Sequence, residues 1–236
     1  MTNIQIRSFR AEKLRVTGLL AASAMGRKLC PTIFVKGDES APIRTVSGVR
    51  WLSAAKSWIN QDLFIKWVQF EFPFVPPNTI LLVFDSARPH ISEKVKAFLH
   101  SKGILFAVIP GGLTGLLQPC DVSWFKPLKS SLAELIDQWK SGTDHSVTVH
   151  GNIKPPTIEN MSNWFSIAWD RIGQDTIVRS VDRCFLGDSL FLHIAQHDIY
   201  GRLFRHAVAD LTSNIEVGAN HEVVSEESDP DLIDDE

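Results

Sequence analysis

A strand, a helix and a second strand follow one another within fewer than 35 residues, and this pattern constrains the fold most strongly. Residues 79–84 (TILLVF) form a continuous apolar run, which is typical of a strand buried on both faces. Ser92 is a suitable N-cap for a following helix, and Gly103 ends that helix. Residues 104–109 form a second apolar strand. A helical connection of this kind joins parallel strands through a right-handed crossover, so the sequence predicts an α/β fold.

Shorter patterns predict further strands and helices on both sides of this unit. Residues 4–9 and 14–22 are apolar or β-branched runs separated by a polar segment, as in a hairpin, and residues 32–35 predict a third strand. Asn60 is a suitable N-cap for another helix, and Pro127 suits the first turn of a helix that continues to about residue 140. Beyond residue 156, helical spacing predicts short helices near residues 164–168, 177–181 and 190–211.

The composition excludes several classes of protein. Of the 236 residues, 44% are hydrophobic and 22% are charged, as in an ordinary globular domain. We find neither an apolar run of about 18 residues nor the apolar block of a secretory signal, so we expect no membrane span, no secretion and an intracellular location. Cys30, Cys120 and Cys184 lie far apart without a C-x-x-C pair, which predicts free thiols.

The formal net charge of -3 is unevenly distributed along the chain. The residues after Ile215 include nine acids and no Lys or Arg, so residues 1–215 carry all 24 basic residues, 18 acids and a net charge of +6. A basic body suits a partner that carries phosphate, such as nucleic acid, although solubility alone also accounts for this distribution. Residues 214–236 are predicted to be a disordered acidic tail.

Two aspartates are the main candidates for chemistry. Asp85 follows the first apolar strand of the strand–helix–strand unit, at the edge where open α/β sheets bind ligands, although it could also simply cap a turn. Asp121 follows it with 35 residues in between, and the neighbouring strand could bring the two carboxylates together. Converging carboxylates suit Mg²⁺ or Mn²⁺, and a metal pair of this kind cleaves phosphodiesters, but such sites usually need three or more acidic ligands.

These residues resemble a known family. The segments LLVFDSARPHISEKVKAFL and AVIPGGLTGLLQPCDVSWFKPLKSSL are similar to the catalytic core of DDE superfamily endonucleases. The nearest branch is that of the pogo and Tigger transposases within the mariner-like group, which also contains the jerky and centromere protein B relatives. The resemblance extends from EKLRVTGLLAASAMGRKLCPTIFVKG, which begins at Glu12, to NWFSIAWDRIGQDTIVRSVDRCF. An apolar strand that ends in Asp, followed by LQPxD at this spacing, is specific to the family.

The resemblance implies an RNase H-like fold with a mixed sheet and flanking helices, DNA as partner and divalent ions as cofactors. Asp85 matches the second catalytic acid of the family and Asp121 the third. We therefore expect a partial RNase H-like DDE domain over residues 1–140, a helical C-terminal extension of the same domain over 141–215, and the acidic tail over 216–236.

The family's first acid lies on a strand upstream of the segment matched here, and we expect this chain to begin too late to contain it. The acids before Asp85 lack the context of that first motif, including Asp38, which matches a later segment; they are Glu12, Asp38, Glu39, Asp62 and Glu71. We therefore expect a catalytically impaired domain, since loss of a ligand removes positioning and charge compensation. The absent first strand would leave unpaired sheet edges, unless the early hairpin closes directly onto the Asp85 strand.

Several polar residues near the two aspartates are candidate nucleic-acid contacts. They are Arg88, His90, Lys126 and Lys129. The two lysines flank a helix start that could hold phosphate, although solvated lysines are nearly as common there. The GGLTGLLQP segment lacks the spacing of a nucleotide-binding loop and is interpreted as a turn, and His193 and His197 lack the glutamate of a zinc protease motif. The tryptophans, including Trp58, Trp67, Trp164 and Trp169, are interpreted as core residues.

Three hypotheses remain open for the function. The first is a transposase-derived domain that binds DNA with weak sequence selectivity and has lost most of its activity. The second is an active endonuclease whose missing acid comes from an upstream region or from Asp38. The third is a protein-interaction scaffold whose acidic tail recruits protein partners. The family implies a nuclear location.

Overall fold

The computed structural model describes residues 2–6, 14–143 and 145–185, which all belong to one compact unit spanning Met1–Gly187. Its strands are β1 (Thr2–Ile6), β2 (Leu14–Leu19), β3 (Thr32–Lys36), β4 (Arg44–Val46), β5 (Val49–Ala54), β6 (Leu81–Asp85) and β7 (Leu105–Ile109). Its helices are α1 (Gln61–Glu71), α2 (Glu93–Ser101), α3 (Thr114–Leu117), α4 (Phe125–Ser141), α5 (Ile158–Asp170) and α6 (Gln174–Phe185). The predicted helices at 190–211, the acidic tail and the histidine pair at 193 and 197 lie outside the described residues.

Five strands form a mixed sheet in the order β1-β2-β3-β5-β4. The predicted hairpin is confirmed, because β1 pairs antiparallel with β2 in a register that places Ile4 opposite Val16. The β2–β3 and β4–β5 pairs are also antiparallel, whereas β3 and β5 run parallel. The architecture is therefore α/β with a mixed sheet and flanking helices.

The two faces of this sheet pack against different helices. In β3 and β5, the alternation of side chains sends Ile33 and Trp51 to one face, where they join a core cluster with residues of α4 and α5. Phe34 and Leu52 point to the opposite face and join a second cluster with α1, α2 and Phe84 of β6. The sheet is thus covered by helices on both faces, and the second cluster connects it to the predicted strand–helix–strand unit.

The predicted strand–helix–strand unit is confirmed, since β6 and β7 pair in parallel with α2 between them. Ser92 caps α2 by accepting a hydrogen bond from the Val95 N–H, and Gly103 follows the helix with a positive φ of 66°. The expectation that this strand is buried on both faces is wrong. Among the described residues β6 pairs only with β7, and one face of this pair is open to solvent, where Leu81 is 60% exposed and its cross-strand partner Leu105 47% exposed.

The segment between β7 and α4 is more helical than expected. Residues 110–119, interpreted as a turn, include the single helical turn α3, which buries Leu117. A wide π-helical turn spans Cys120–Trp124, in which the Phe125 N–H donates to the Cys120 carbonyl. It leads directly into α4, which has Pro127 in its first turn and ends near residue 140, both as predicted.

Most tryptophans lie in the core as predicted, and Trp67, Trp164 and Trp169 are all buried. Trp58 is an exception, with 57% of its surface exposed. It lies before Asn60, the N-cap of α1, and therefore outside the helical face that packs on the sheet.

The predicted free cysteines are confirmed, because Cys30, Cys120 and Cys184 form no disulfide. Among the helices of the described ranges, none has the length and apolar character needed to cross a membrane.

Candidate metal and nucleic-acid site

Asp85 lies at the carboxyl end of β6, where the chain turns sharply toward α2. Its Oδ1 accepts a hydrogen bond from the Ala87 N–H at 3.1 Å and lies 2.6 Å from Nδ1 of His90. Burial by itself raises the pKa of this carboxyl, but the hydrogen bond and charge of His90, helped by the Ala87 N–H, outweigh it and hold the pKa well below its usual range. Asp85 is therefore an ionised carboxylate whose orientation is fixed from one side.

His90 is a buried residue, with only 3% of its surface exposed. Its ring lies 4.6 Å from the ring of Phe64 on α1 and 5.8 Å from that of Phe84, measured between centroids. Facing a carboxylate, Nδ1 is the nitrogen that carries a proton, and the buried Nε2 has no hydrogen-bond partner among the described residues. This burial argues against our interpretation of His90 as a nucleic-acid contact, because neither ring nitrogen reaches the surface; His90 instead positions Asp85.

Asp121 lies in the π-helical turn and is largely exposed. Partial burial raises the pKa of its carboxyl, and the negative charge of Asp85 raises it further, while Lys129 on α4 acts in the opposite direction. Two carboxylates that influence one another in this way lie in one electrostatic environment. The charge of Asp85 on β6 thus acts on Asp121, which lies on a different element.

The raised pKa of Asp121 predicts that its ionised form destabilises the folded protein. We expect Asp121→Asn to increase the free energy of unfolding at neutral pH, by less than about 1 kcal/mol because the group is well solvated. For a carboxyl whose pKa is raised by folding, stability is highest at low pH and falls as the pH rises through the folded-state pKa, so the gain should vanish in acid. Urea unfolding at two pH values measures this.

A matched control for this variant is Asp137→Asn on α4, whose carboxylate is exposed and lies 3.9 Å from Lys140. Removing that favourable pairing should leave stability unchanged or slightly lower. A loss of stability in Asp121→Asn would contradict the predicted repulsion between Asp121 and Asp85.

Three candidate cationic contacts surround the aspartates and are exposed to solvent. They are Arg88 in the loop after β6, and Lys126 and Lys129 on the first turns of α4. Within the described residues, no carboxylate lies at ion-pair distance from any of them. They are therefore exposed cations of the kind that contact phosphate, and Lys129 also acts on the charge of Asp121.

The other acids considered as a first catalytic residue hold structural contacts. Asp38 accepts hydrogen bonds from the backbone N–H and the hydroxyl of Ser40, and Glu39 accepts from Ala55 and Asn60. Asp62 pairs with Lys94, and Glu71 pairs with Arg50. Glu12 lies outside the described residues. These contacts argue against Asp38 as a substitute ligand.

The described residues do not fit a two-metal site. Divalent ions in such sites are shared by several carboxylates, whereas no group of three or more His, Cys, Asp or Glu residues in the described ranges is arranged to hold a metal. Cys120 lies next to Asp121, but burial raises the pKa of its thiol to about 12, so it does not supply a thiolate ligand. Within the described ranges, the two aspartates alone are an incomplete set of ligands for such a site.

Most of the chain is similar to a known protein family. Residues 13–181 match the family described as DDE superfamily endonuclease. The chain belongs to this family. Two relatives named "Pogo transposable element with KRAB domain", from mouse and human, are each 30% identical to this DDE domain over 183 residues. A human protein named "Pogo transposable element with ZNF domain" is 26% identical over 125 residues.

The DDE domain is therefore pogo-like. The alignments with the two KRAB-domain relatives cover 76% of this chain but only 30% of each relative, so the chain spans about a third of their length. The alignment with the ZNF-domain relative covers 52% of this chain and 9% of that protein. The finer relation to jerky and centromere protein B stays a prediction.

Proposed function

We propose that this chain is a transposase-derived DDE domain that binds DNA with weak sequence selectivity and cleaves it poorly or not at all. The observation that carries the proposal is that Asp85 and Asp121 are present but the described residues provide no third acidic ligand beside them. DNA binding is supported by the exposed cations Arg88, Lys126 and Lys129, none of which has a carboxylate at ion-pair distance among the described residues. A binding domain needs these cations, whereas cleavage also needs a complete set of metal ligands.

The finer features of the family are part of the same proposal. We propose an RNase H-like arrangement in which a further strand belongs between β1 and β6, since each of these strands has only one paired neighbour among the described residues. Residues 1–140 would form this domain, 141–215 its helical extension and 216–236 an acidic tail available to protein partners. A nuclear location follows from the role of the family in DNA transactions, and any bound ion would be Mg²⁺ or Mn²⁺.

The test combines DNA binding with DNA cleavage by the purified chain. We expect fluorescence anisotropy to show binding to an arbitrary duplex, with log K falling against log salt at a slope of about -0.9 for each phosphate contacted. Lys126→Gln and Lys129→Gln should each reduce the magnitude of that slope by about one contact. A salt-independent affinity, or no binding by a folded protein, would contradict the proposal and favour the protein scaffold.

The second candidate function, an active endonuclease, is tested in the same preparation. Supercoiled DNA is incubated with Mg²⁺ or Mn²⁺ and the wild type, Asp85→Ala or Asp121→Ala. We expect no nicking above background in any of the three. Nicking by the wild type that is lost in both variants would mean that another part of the protein completes the site.

A further inference from the structure

One tryptophan is presented to solvent by a fixed turn. Trp58 is 57% exposed, although an indole of this size is usually largely buried. Ser57 precedes it in the left-handed region, with a φ of 56°, which is uncommon for a residue other than glycine. The Ser57 carbonyl accepts a hydrogen bond from the hydroxyl of the buried Thr17 at 2.6 Å. The turn is therefore held to the sheet, and it directs the next side chain away from the core.

The turn lies at the same end of the molecule as Asp85. It precedes α1, whereas the Asp85 loop precedes α2, and the first turns of these two helices are joined by a hydrogen bond of 2.5 Å from Lys94 to Asp62. Two residues after Asp62, the ring of Phe64 packs on His90, which holds Asp85. The exposed indole and the candidate site are thus neighbouring parts of one surface.

Uncompensated positive charge accompanies the indole. Lys56 is exposed two residues before Trp58, and Arg88 is exposed in the Asp85 loop. Neither cation has a carboxylate partner at ion-pair distance in the part of the chain that the structure describes. A flat aromatic surface next to free cations is the chemistry that binds a nucleic-acid strand, because the ring stacks on an unpaired base while the cations neutralise adjacent phosphates.

We infer that Trp58 stacks on an unpaired base of a DNA strand, with Lys56 and Arg88 contacting the flanking phosphates. This inference rests on the proposed DNA binding and adds to it a preference for DNA that is single-stranded or locally unpaired beside the candidate site. A base paired within an intact duplex has its faces covered by its neighbours and cannot accept the indole. Trp58 therefore distinguishes unpaired from paired DNA without reading sequence.

The opposite end of α1 provides a matched control. Phe74 is 95% exposed and lies beside Lys102 in a surface groove formed by residues 73–77 and 100–103. It has the same two features as Trp58, an exposed aromatic ring and a nearby lysine, but it follows the carboxyl end of α1 instead of preceding the amino end. If any exposed aromatic ring sufficed, the two positions would behave alike.

The experiment measures the affinity of the full chain for oligo-dT, for a perfect duplex and for the same duplex with a two-nucleotide bulge. We expect Trp58→Ala to weaken binding to oligo-dT and to the bulged duplex by between about five-fold and a hundred-fold, the range for one base stacked on an aromatic ring. Trp58→Phe should retain most of the affinity. Binding to the perfect duplex should change by less than about two-fold, and Phe74→Ala should match the wild type on all three DNAs.

The salt dependence tests the lysine in the same way. On oligo-dT, Lys56→Gln should lower the magnitude of the log K against log salt slope by about 0.7, whereas Lys102→Gln should leave it unchanged. All four side chains that are replaced reach solvent, so thermal unfolding should confirm that each variant is folded.

The outcomes distinguish a failure of the inference about Trp58 from a failure of the proposed DNA binding. Duplex binding with a steep salt dependence, together with wild-type affinity of Trp58→Ala for oligo-dT, would overturn the inference, leave the proposed function standing and assign the exposed indole to a protein contact. Equal losses in Trp58→Ala and Phe74→Ala would also overturn it. A folded wild type that binds none of the three DNAs would overturn both.

Discussion

Replacing Glu71 with leucine is expected to lower the free energy of unfolding by about 3–5 kcal/mol, because it leaves a buried charge without its partner. Glu71 ends α1 and forms an ion pair with Arg50 of β5, and only 7% of the Arg50 side chain and 9% of the Glu71 side chain are exposed. The Arg50 guanidinium also lies over the ring of Phe70, 4.2 Å from its centroid. With Glu71 gone, the arginine could regain solvation only by leaving this packed position.

Three variants isolate the cause of that loss. Asp62→Leu breaks the pair with Lys94, in which both side chains are 59% exposed, and should cost less than about 1 kcal/mol. The double variant Arg50→Met/Glu71→Leu should recover much of the stability, because it removes both charges. Urea unfolding followed by circular dichroism gives all the values. If Glu71→Leu and Asp62→Leu lost similar amounts of unfolding free energy, burial would not be the reason for the large effect expected at the Arg50–Glu71 pair.

Replacing His90 with leucine is expected to cost about 1.5–3 kcal/mol at neutral pH, which is typical for a hydrogen bond to a charged group. Leucine suits the apolar surroundings provided by Phe64 and Phe84, so the change mainly removes the contact between Nδ1 and Asp85. The same contact lowers the pKa of Asp85. The stability difference between wild type and variant should therefore depend on pH.

The sign of that dependence follows from the lowered pKa. A carboxyl with a folded-state pKa below its unfolded value contributes its full stability above pH ~4, and the contribution is lost as the pH falls further. The free energy of unfolding of the wild type should thus fall steeply as the pH is lowered. His90→Leu is less stable at neutral pH and should lose less stability in acid, and the stability of Asp85→Asn should depend on pH as weakly. Unfolding measured between neutral pH and pH ~3 tests this. An equal loss of unfolding free energy in acid for all three proteins would mean that His90 does not act through Asp85.

The repeating local patterns of the sequence predicted much of the fold. The apolar runs of β6 and β7, with the Ser92 cap and Gly103 between them, are signals contained within a few residues, and the parallel pair was predicted correctly. The exposure of the outer face of β6 could not be predicted in that way. It depends on which elements pack over the β6–β7 pair, and these come from distant segments of the chain.

The candidate site was predictable in its acids but not in its supporting contacts. Asp85 and Asp121 could be selected because each has a recognisable context. The burial of His90 was missed because it depends on Phe64, which comes from a helix 26 residues earlier in the chain. The spacing of five residues across a turn with Pro89 was a signal that could have suggested a contact back to Asp85. The exposure of Trp58 could have been predicted from its position before the N-cap of α1, but not from its residue type.

The wide turn at Cys120–Trp124 determines which of the residues just before α4 face the hydrophobic core. Phe125, Leu128 and Leu132 form part of the buried stripe of α4, and in an uninterrupted α-helix position 121 would continue that stripe one turn earlier. The additional residue rotates the preceding segment by about 100°, so Cys120 packs against the core cluster while Asp121 reaches solvent. A single-residue insertion in the helical ladder thus keeps a carboxylate out of the hydrophobic core, and its loss would direct Asp121 into that core.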